Sequence, residues 1–481
     1  MNASKTLFTY IVLFIFSTTA SAQTWEQMLK KAEKQYAKGK YHKVEKATDK
    51  LRKKHIGKKF NADSSLYALT HVMDAKAFLA QAYFKEMNTS LIKAALLLET
   101  YEARDPYNYI MPNLRIVDLY NDYGNHQKAD SVTRLLEQLS TGYIQSGLLE
   151  AEIQIRRAIT DVALGNYKEG LANTRSLNDL WPTKLRLSYK FESLKKEDEI
   201  YKTQLLVKLY TNEVEALRGQ GEYEAALALL DTRNKQVNRL AAANTEGYVS
   251  FRTAEVRTHI DYGDYKQSQK VANRLLSNKL PGIIGRKPAV AMLESTNKEG
   301  DFGESYILKE KLDKMHAKSK VRNSFDSFHD DAMEALINSY QQNMEENVVV
   351  TLNNLIGKAK KSLPEDHYIV TELSQRGIDY IFEVNRSENF LFAEKFYKTL
   401  GESLHIRFGN NTLHTDIYKV NFAGYYLKYS ETPSKAYALS LEKFIKNHYQ
   451  NYPPNIQSMK AWCRALCHIL PLLAILTIQS H

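Results

Sequence analysis

A short phrase of residues recurs along most of this chain. It consists of a glycine, any residue, an aromatic residue and, three positions after the aromatic, a small residue. The copies are Gly39-Lys40-Tyr41, Gly124-Asn125-His126 with Ala129, Gly165-Asn166-Tyr167 with Gly170, Gly221-Glu222-Tyr223 with Ala226, Gly263-Asp264-Tyr265 with Ser268, and Gly300-Asp301-Phe302 with Ser305. Successive glycines lie 85, 41, 56, 42 and 37 residues apart, and a degenerate copy around Met87-Asn88-Thr89 divides the first interval. Self-similarity with this period predicts stacked helical hairpins.

The phrase has the chemistry of a tight turn between two helices. A glycine just past a helix adopts the left-handed backbone conformation that closes the helix, because it has no Cβ atom to clash. The aromatic residue then begins the second helix, and the small residue one turn later lets the two helices approach closely. In one copy, Tyr223, Ala226, Leu227 and Leu230 are spaced to share one helical stripe. We therefore predict that this stripe belongs to the core.

The residues around these turns resemble the tetratricopeptide repeat, whose pattern has Gly-x-Tyr at the turn, alanine in the second helix and proline at its end. Pro182 stands twelve residues after Gly170, and Gly424 stands twelve residues before Ala436. The resemblance implies an all-α fold, a right-handed superhelical solenoid of antiparallel helix pairs. It also implies that side chains from successive first helices form one concave binding surface.

The last third of the chain resembles the longer, roughly 42-residue form of this repeat that is found in kinesin light chains and in bacterial sensor proteins. Its second helix carries an apolar stripe at helical spacing: Phe390, Ala393, Tyr397 and Leu400. Ala436 repeats the pattern 43 residues after Ala393. The turn phrase is reduced there to Glu388-Asn389-Phe390, so the period is clearer than the turn.

Composition agrees with a helical array. Glycine and proline together account for 30 of the 481 residues, about half of average usage, which leaves little turn material for a β-rich fold. A solenoid grows by adding units, so the length does not require three separate domains. The predicted divisions are a signal peptide at 1–22, repeats at 23–310, a charged linker or irregular helix at 311–330, longer repeats at 331–454, and an apolar tail at 455–481.

The amino terminus has the pattern of a secretory signal peptide. Lys5 precedes an apolar run over residues 7–16, and an Ala-x-Ala cleavage site ends at Ala22 before Gln23. This run is too short to span about 30 Å of hydrocarbon. Gln23 stands where a lipid-modified cysteine would be required. We therefore expect cleavage between Ala22 and Gln23 and export to the periplasm or the exterior of a bacterium.

The carboxyl-terminal segment departs from the repeat pattern after Pro454. Residues 461–478 are the most apolar run after the signal peptide. Cys463 and Cys467, the only cysteines, lie there beside His468. A metal site with such ligands normally has four of them, and the sequence suggests no fourth ligand, so we do not expect a metal site here. The segment is open to three interpretations: a capping helix, the remnant of a truncated reading frame, or a membrane anchor, which its charged and proline residues disfavour.

No motif for covalent chemistry accompanies the repeats. The chain has no phosphate-binding loop, no Gly-x-Ser-x-Gly elbow and no His-Glu-x-x-His helix. The triplet His329-Asp330-Asp331 is more typical of a helix start than of a set of metal ligands. We therefore expect a protein that is not an enzyme and that uses no cofactor and no metal.

The net charge of +11 arises from 66 Lys and Arg against 55 Asp and Glu. Part of the excess lies between Lys30 and Lys59, where a basic helix face would attract an anionic surface weakly. A solvated helix face is the simpler interpretation of such a run. Nucleic acid is not an expected partner of an exported protein.

These observations predict an exported, non-catalytic scaffold that binds a protein or an extended peptide in the groove of a helical solenoid. One alternative is a regulatory repeat region of a larger enzyme or signalling protein, similar to a CHAT protease or a sensor, whose catalytic domain is not in this chain. Another is an envelope-associated assembly factor held at a membrane by the basic face or the apolar tail.

Overall fold

The computed structural model describes residues 25–37, 40–53, 64–81, 83–99, 106–143, 147–184, 195–278, 280, 282–319, 345–384, 390–410 and 412–429. These residues form eighteen α-helices and contain no β-strand. The chain divides into two compact units, residues Met1–Tyr109 and Ile110–His481.

Several predicted features lie outside the described residues. They are the signal peptide with Ala22 and Gln23, the turn glycine Gly39, the linker from residue 320 onward, Ala436, and the tail at 455–481. The triplet at 329–331 and both cysteines lie outside them as well.

The first unit contains four helices: α1 (Trp25–Ala37), α2 (Tyr41–Leu51), α3 (Ser64–Ala80) and α4 (Phe84–Glu99). Each packs against the next one along the chain. Leu29, Val44 and Met73 are among the buried side chains that form a core shared by α1, α2 and α3. Tyr41, the aromatic residue of the first turn phrase, begins α2, and its ring lies 5.3 Å from that of Tyr36.

The turn between α3 and α4 does not lie at the degenerate copy around Met87. Helix α3 ends at Ala80 and α4 begins at Phe84, so Met87 lies inside α4, where it is buried. The residues that align with the turn phrase are Ala82, Tyr83 and Phe84, and Ala82 stands 42 residues before Gly124. Because alanine replaces glycine, this copy lacks the residue by which the phrase is recognised.

The second unit holds most of α5 (Pro106–Tyr123) and all later helices. These are α6 (His126–Tyr143), α7 (Gly147–Leu164), α8 (Tyr167–Lys184), α9 (Lys195–Gly219), α10 (Tyr223–Leu240), α11 (Glu246–Tyr262), α12 (Tyr265–Leu276), α13 (Gly282–Glu299), α14 (Phe302–Ser319), α15 (Glu345–Ser362), α16 (Tyr368–Val384), α17 (Phe390–Phe408) and α18 (Leu413–Tyr429). Each complete turn phrase separates a first helix from a second helix in the pairs α5/α6, α7/α8, α9/α10, α11/α12 and α13/α14. The reduced phrase precedes α17, so α16 and α17 form a later pair.

The five turns of this unit share one backbone geometry. The glycines Gly124, Gly165, Gly221, Gly263 and Gly300 have φ between +80° and +90°. In each turn, the N–H of the following residue donates to the carbonyl oxygen five residues earlier, as from Glu222 to Leu217 at 3.0 Å. This closure is typical of a glycine at the end of a helix.

The small residue of each phrase lies where the second helix meets the first. Ala129 and Ala226 are fully buried. At Gly170, a Cβ atom would lie 2.6 Å from Cγ2 of Val162 and 3.1 Å from the carbonyl oxygen of Ala158. The helices are therefore too close at this point for a larger side chain.

We expect Gly221→Val to lower the free energy of unfolding by about 1–2 kcal/mol or more, because a β-branched residue is strained at positive φ. Urea unfolding followed by circular dichroism measures the change. Ala228→Val on the exposed side of α10 is the matched control, with an expected cost of about 0.5 kcal/mol from helix propensity. Equal costs for the two variants would contradict a left-handed turn at Gly221.

Polar contacts between neighbouring pairs follow the repeat. Asn121 donates to Thr160 at 3.0 Å and Asn212 donates to Thr174 at 2.9 Å, across 39 and 38 residues respectively. A buried core joins the later helices, and it contains Leu352 of α15, Leu373 of α16 and Phe396 of α17. The all-α, tetratricopeptide-like arrangement of helix pairs that the sequence predicts is therefore confirmed.

Early and late helices of the second unit are also in contact. Helix α17 contacts α6, although the two helices lie far apart in the sequence. Leu164, the last residue of α7, belongs to the core formed by α15, α16 and α17. A set of polar contacts reinforces this meeting point, and its chemistry is described below.

Candidate functional site

The predicted turn residues mark the ends of helices. Tyr167, Tyr223 and Tyr265 each begin a second helix and are half-buried. A Cβ atom on Gly219 would lie 2.3 Å from Cε1 of Tyr167, so this ring packs directly on the end of α9. Phe302 begins α14. The predicted turn residues therefore lie at the connections between paired helices and do not form one continuous surface.

The later predicted residues lie in helices. Ala393 is buried in α17 and belongs to the core of the later helices, against which the neighbouring Phe392 packs. Gly424 lies inside α18, not at a turn. The positive-φ glycine of this region is instead Gly409, which stands between α17 and α18 with φ of +77°.

First helices pack on one another along the array. Helix α7 contacts α9, α9 contacts α11, and α11 contacts α13. The second helices of this stretch make their main contacts with first helices. Successive first helices therefore lie side by side along one side of the array. We call the exposed side chains of α5, α7, α9, α11 and α13 on this side the first-helix face.

Charged residues recur on the first-helix face, six positions before the turn glycine. They are Asp118 in α5, Glu215 in α9, Arg257 in α11 and Glu294 in α13; α7 has Ile159 there. Asp118, Glu215 and Glu294 are half-buried, and Arg257 is exposed. A recurring position on successive helices places these side chains in one row.

Arg218 joins two helices of this face. Its Nη1 atom lies 2.7 Å from Oδ2 of Asp261 in α11, and its Nε atom donates to Glu215 of α9 at 2.9 Å. Burial alone would lower the pKa of Arg218, but the two carboxylates raise it above its ordinary value. Burial alone would raise the pKa of Glu215, but Arg218 and Arg257 hold it below its usual range. Arg218 and Glu215 therefore both stay charged at neutral pH.

A second group of charged side chains lies on α13, the next first helix after α11. Nζ of Lys298 is 3.4 Å from Oε1 of Glu294. Burial would raise the pKa of Glu294, but Lys298, Arg376 and Arg257 lower it. Arg376 belongs to α16, so a later first helix adds to the field at this point.

Arg257 differs from its neighbours in the row. Each nearby carboxylate, Glu215, Asp261 and Glu294, already has a cationic partner. Arg257 is exposed and makes no ion pair with the residues that the structure describes. It offers five N–H donors in a planar fork. An incoming carboxylate or peptide carbonyl would find its donors accessible.

At the other end of the face, one carboxylate links three first helices. Asp118 of α5 accepts from Nη2 of Arg156 in α7 at 2.9 Å, and Nζ of Lys208 in α9 lies 3.3 Å from it. Arg156 also lies 3.4 Å from Glu152, and both of these side chains are almost fully buried. This group holds neighbouring first helices in register.

The described parts of the chain contain no group of three or more His, Cys, Asp or Glu side chains arranged to hold a metal ion. None of the described helices has the length and apolar character needed to cross a membrane. In α2, the lysines Lys43, Lys46 and Lys50 are exposed, as a solvated helix face requires.

No protein-family model matches the sequence, and no curated protein matches it either. Among solved structures, a Rap protein complexed with competence and sporulation factor is similar, at 12% identity over 79% of this chain and 97% of that chain, with a TM-score of 0.49. Aspartyl phosphate phosphatase F from Bacillus subtilis is 12% identical over 82% and 97% of the two chains, with a TM-score of 0.45. The APC/C hetero-tetramer Cut9–Hcn1 is 10% identical over 94% and 98%, with a TM-score of 0.24.

Proposed function

We propose that this protein is an exported, non-catalytic scaffold that binds a protein or an extended peptide along the first-helix face. The observation that carries the proposal is the row of charged side chains at one repeat position of the first helices, from Asp118 to Glu294, on the side that the resemblance to tetratricopeptide repeats implies to be concave. A preformed surface of this kind limits the entropy lost on binding, and its affinity is spread over many contacts.

Arg257 supplies the accessible donor at the centre of this row, between Glu215 and Glu294. Because the surrounding carboxylates are paired, the surface presents ordered charges of both signs rather than one strong potential. Such a surface suits a partner with both polar backbone and charged side chains. The last repeats are proposed to be the longer variant from the sequence resemblance, in which Ala436 repeats the pattern 43 residues after Ala393.

The binding proposal is tested with random peptides displayed on phage and selected against the mature chain, Gln23 to His481. The affinity of a selected peptide is then measured by fluorescence anisotropy for Arg257→Ala and for a control, Lys235→Ala. Lys235 is exposed on the second helix α10. We expect Arg257→Ala to weaken binding about tenfold, which corresponds to about 1.4 kcal/mol, and Lys235→Ala to leave it unchanged. Equal effects of the two variants would contradict the assignment of the face.

Export is proposed from the amino-terminal pattern, and cleavage is its direct consequence. In a bacterial host with an intact secretion system, the mature protein is expected to begin at Gln23, because Ala20 and Ala22 form an Ala-x-Ala site. Intact-mass measurement of the exported fraction determines the first residue. Ala22→Lys is expected to leave the precursor uncleaved. Exported protein that still begins at Met1 would contradict the prediction.

A further inference from the structure

The array of the second unit closes through a polar contact set that we call the closing junction. It joins the turn at 123–128 and the end of α7 to the loop before α16 and the loop between α17 and α18. Asp366 is its anionic centre. It accepts from the Tyr123 hydroxyl at 2.7 Å and from Nδ2 of Asn125 at 2.8 Å, and Nζ of Lys128 lies 3.3 Å away.

Arg407 is the cationic centre of the closing junction. Its Nε atom donates to the carbonyl oxygen of Gly124 at 2.8 Å. The guanidinium is buried and lies 4.9 Å from the ring centroid of Phe408. It makes no ion pair with the part of the chain that the structure describes. A Cβ atom on Gly124 would lie 2.8 Å from Nη2 of Arg407, so a side chain at this position would displace the end of the guanidinium.

Three histidines surround these two centres. The ring of Phe408 lies 5.3 Å from that of His126 and 4.3 Å from that of His414. A ring nitrogen of His414, Nε2, lies 3.2 Å from the carbonyl oxygen of Ala163. His367 is fully buried, and its Nδ1 accepts from the N–H of Ile369 at 3.1 Å, so protonation of that nitrogen would break the bond.

The charges that face these histidines are mostly unfavourable to a proton. His126 of α6 faces Arg407 and His414, and its Nδ1 lies 3.0 Å from Oδ1 of Asn121 in α5. His414 of α18 faces Arg407. His367, before α16, faces Arg407 and also the single carboxylate of Asp366. All three rings thus face the same buried cation, Arg407.

Burial and Arg407 lower the pKa of His126 to about 3, of His367 to about 3 and of His414 to about 4. The ordinary value is 6.5. In an opened junction the rings are solvated and regain pKa values near the ordinary one. The open form therefore binds more protons below pH 6.5. Closure is favoured above this pH and is progressively lost as the pH falls toward 4.

We propose that the closing junction is an acid-released latch, which holds the repeat array closed at neutral pH and lets it open in mild acid while its helices remain folded. The geometry supports this because the junction joins turns and helix ends, so it can separate without breaking a helix. Opening would also widen access to the first-helix face, a consequence that rests on the proposed binding function.

The latch is tested with sedimentation velocity and circular dichroism on the mature chain between pH 7.5 and 5.0. We expect a reversible fall of the sedimentation coefficient with a midpoint below pH 6.5, without loss of helix. The logarithm of the equilibrium constant for opening is plotted against pH. The magnitude of its slope is expected to approach three, which means that about three protons are taken up on opening. A constant sedimentation coefficient down to pH 5.0, or a fall that coincides with loss of helix, would overturn the proposal.

Two histidine variants and one control identify the groups that take up protons when the junction opens. His126→Gln and His414→Gln are each expected to reduce the proton uptake by about one, from near three to near two. His405→Gln is the control, since His405 is exposed on the same helix as Arg407. Its proton uptake should stay unchanged. Equal slopes in all three variants would assign the opening to other groups and overturn the latch.

Asp366→Ala tests the latch without acid. It removes the acceptor of Tyr123, Asn125 and Lys128, and the array is expected to adopt the lower sedimentation coefficient already at pH 7.5, with helix content retained. If this variant sediments like the wild type, the junction does not hold the array closed. None of these readouts uses a peptide, so failure of the latch and failure of the binding proposal are distinguishable.

Discussion

Arg156→Ala is expected to lower the free energy of unfolding by about 3–5 kcal/mol. Arg156 is 3% exposed and lies against Glu152, which is 1% exposed, and it also bonds Asp118 of the neighbouring first helix. Removing one member of a buried ion pair leaves the other charge without its partner in a medium that solvates it poorly. Urea unfolding followed by circular dichroism measures the change.

The matched control for this substitution is Lys208→Ala. Lys208 contacts the same carboxylate of Asp118 but is 44% exposed. Exposed ion pairs are worth roughly 0–1 kcal/mol, so the control is expected to cost no more than that. If both variants cost the same, the contact between α5 and α7 is not a buried ionic link.

Tyr397→Ala is expected to lower the free energy of unfolding by about 3–5 kcal/mol, because the ring is 1% exposed in the core of α17. The ring centroid of Tyr397 lies 5.4 Å from that of Phe422, and its hydroxyl donates to the Asn421 carbonyl at 3.3 Å. Since each repeat touches mainly its neighbours, the damage should concentrate in α16 to α18. Hydrogen exchange measured by mass spectrometry locates it.

Tyr306→Ala on α14 is the control for this ring. Tyr306 is 42% exposed, and an exposed substitution of this kind is expected to change stability by about 0.5 kcal/mol or less. A Tyr397 variant that is as stable as the Tyr306 variant would mean that α17 and α18 do not pack as described.

The helix pairs were predictable because the turn glycines carry their own physical signal. Positive φ is rare for residues with a Cβ atom, so Gly221 and Gly263 mark turns in the sequence itself. The turn before α4 was not predicted, because Ala82 replaces glycine there. The turn before α18 was not predicted for another reason: its glycine, Gly409, ends a second helix rather than a first one.

The candidate site was predictable only as a surface. The repeat implies a concave side made of first helices, but an isolated charged residue looks the same in sequence on either side of a helix. Counting six positions back from each turn glycine would have aligned Glu215, Arg257 and Glu294. The closing junction leaves no such signal, since Asp366 and Tyr123 are 243 residues apart and meet only through the curvature of the array.

Hydrogen exchange with and without a selected peptide shows whether partners bind along the first-helix face. We expect slower exchange in α9, α11 and α13 on binding, with α10, α12 and α14 little changed, so that protection alternates along the array. Protection confined to the second helices, or to the turns between pairs, would mean that the first-helix face is not the binding surface.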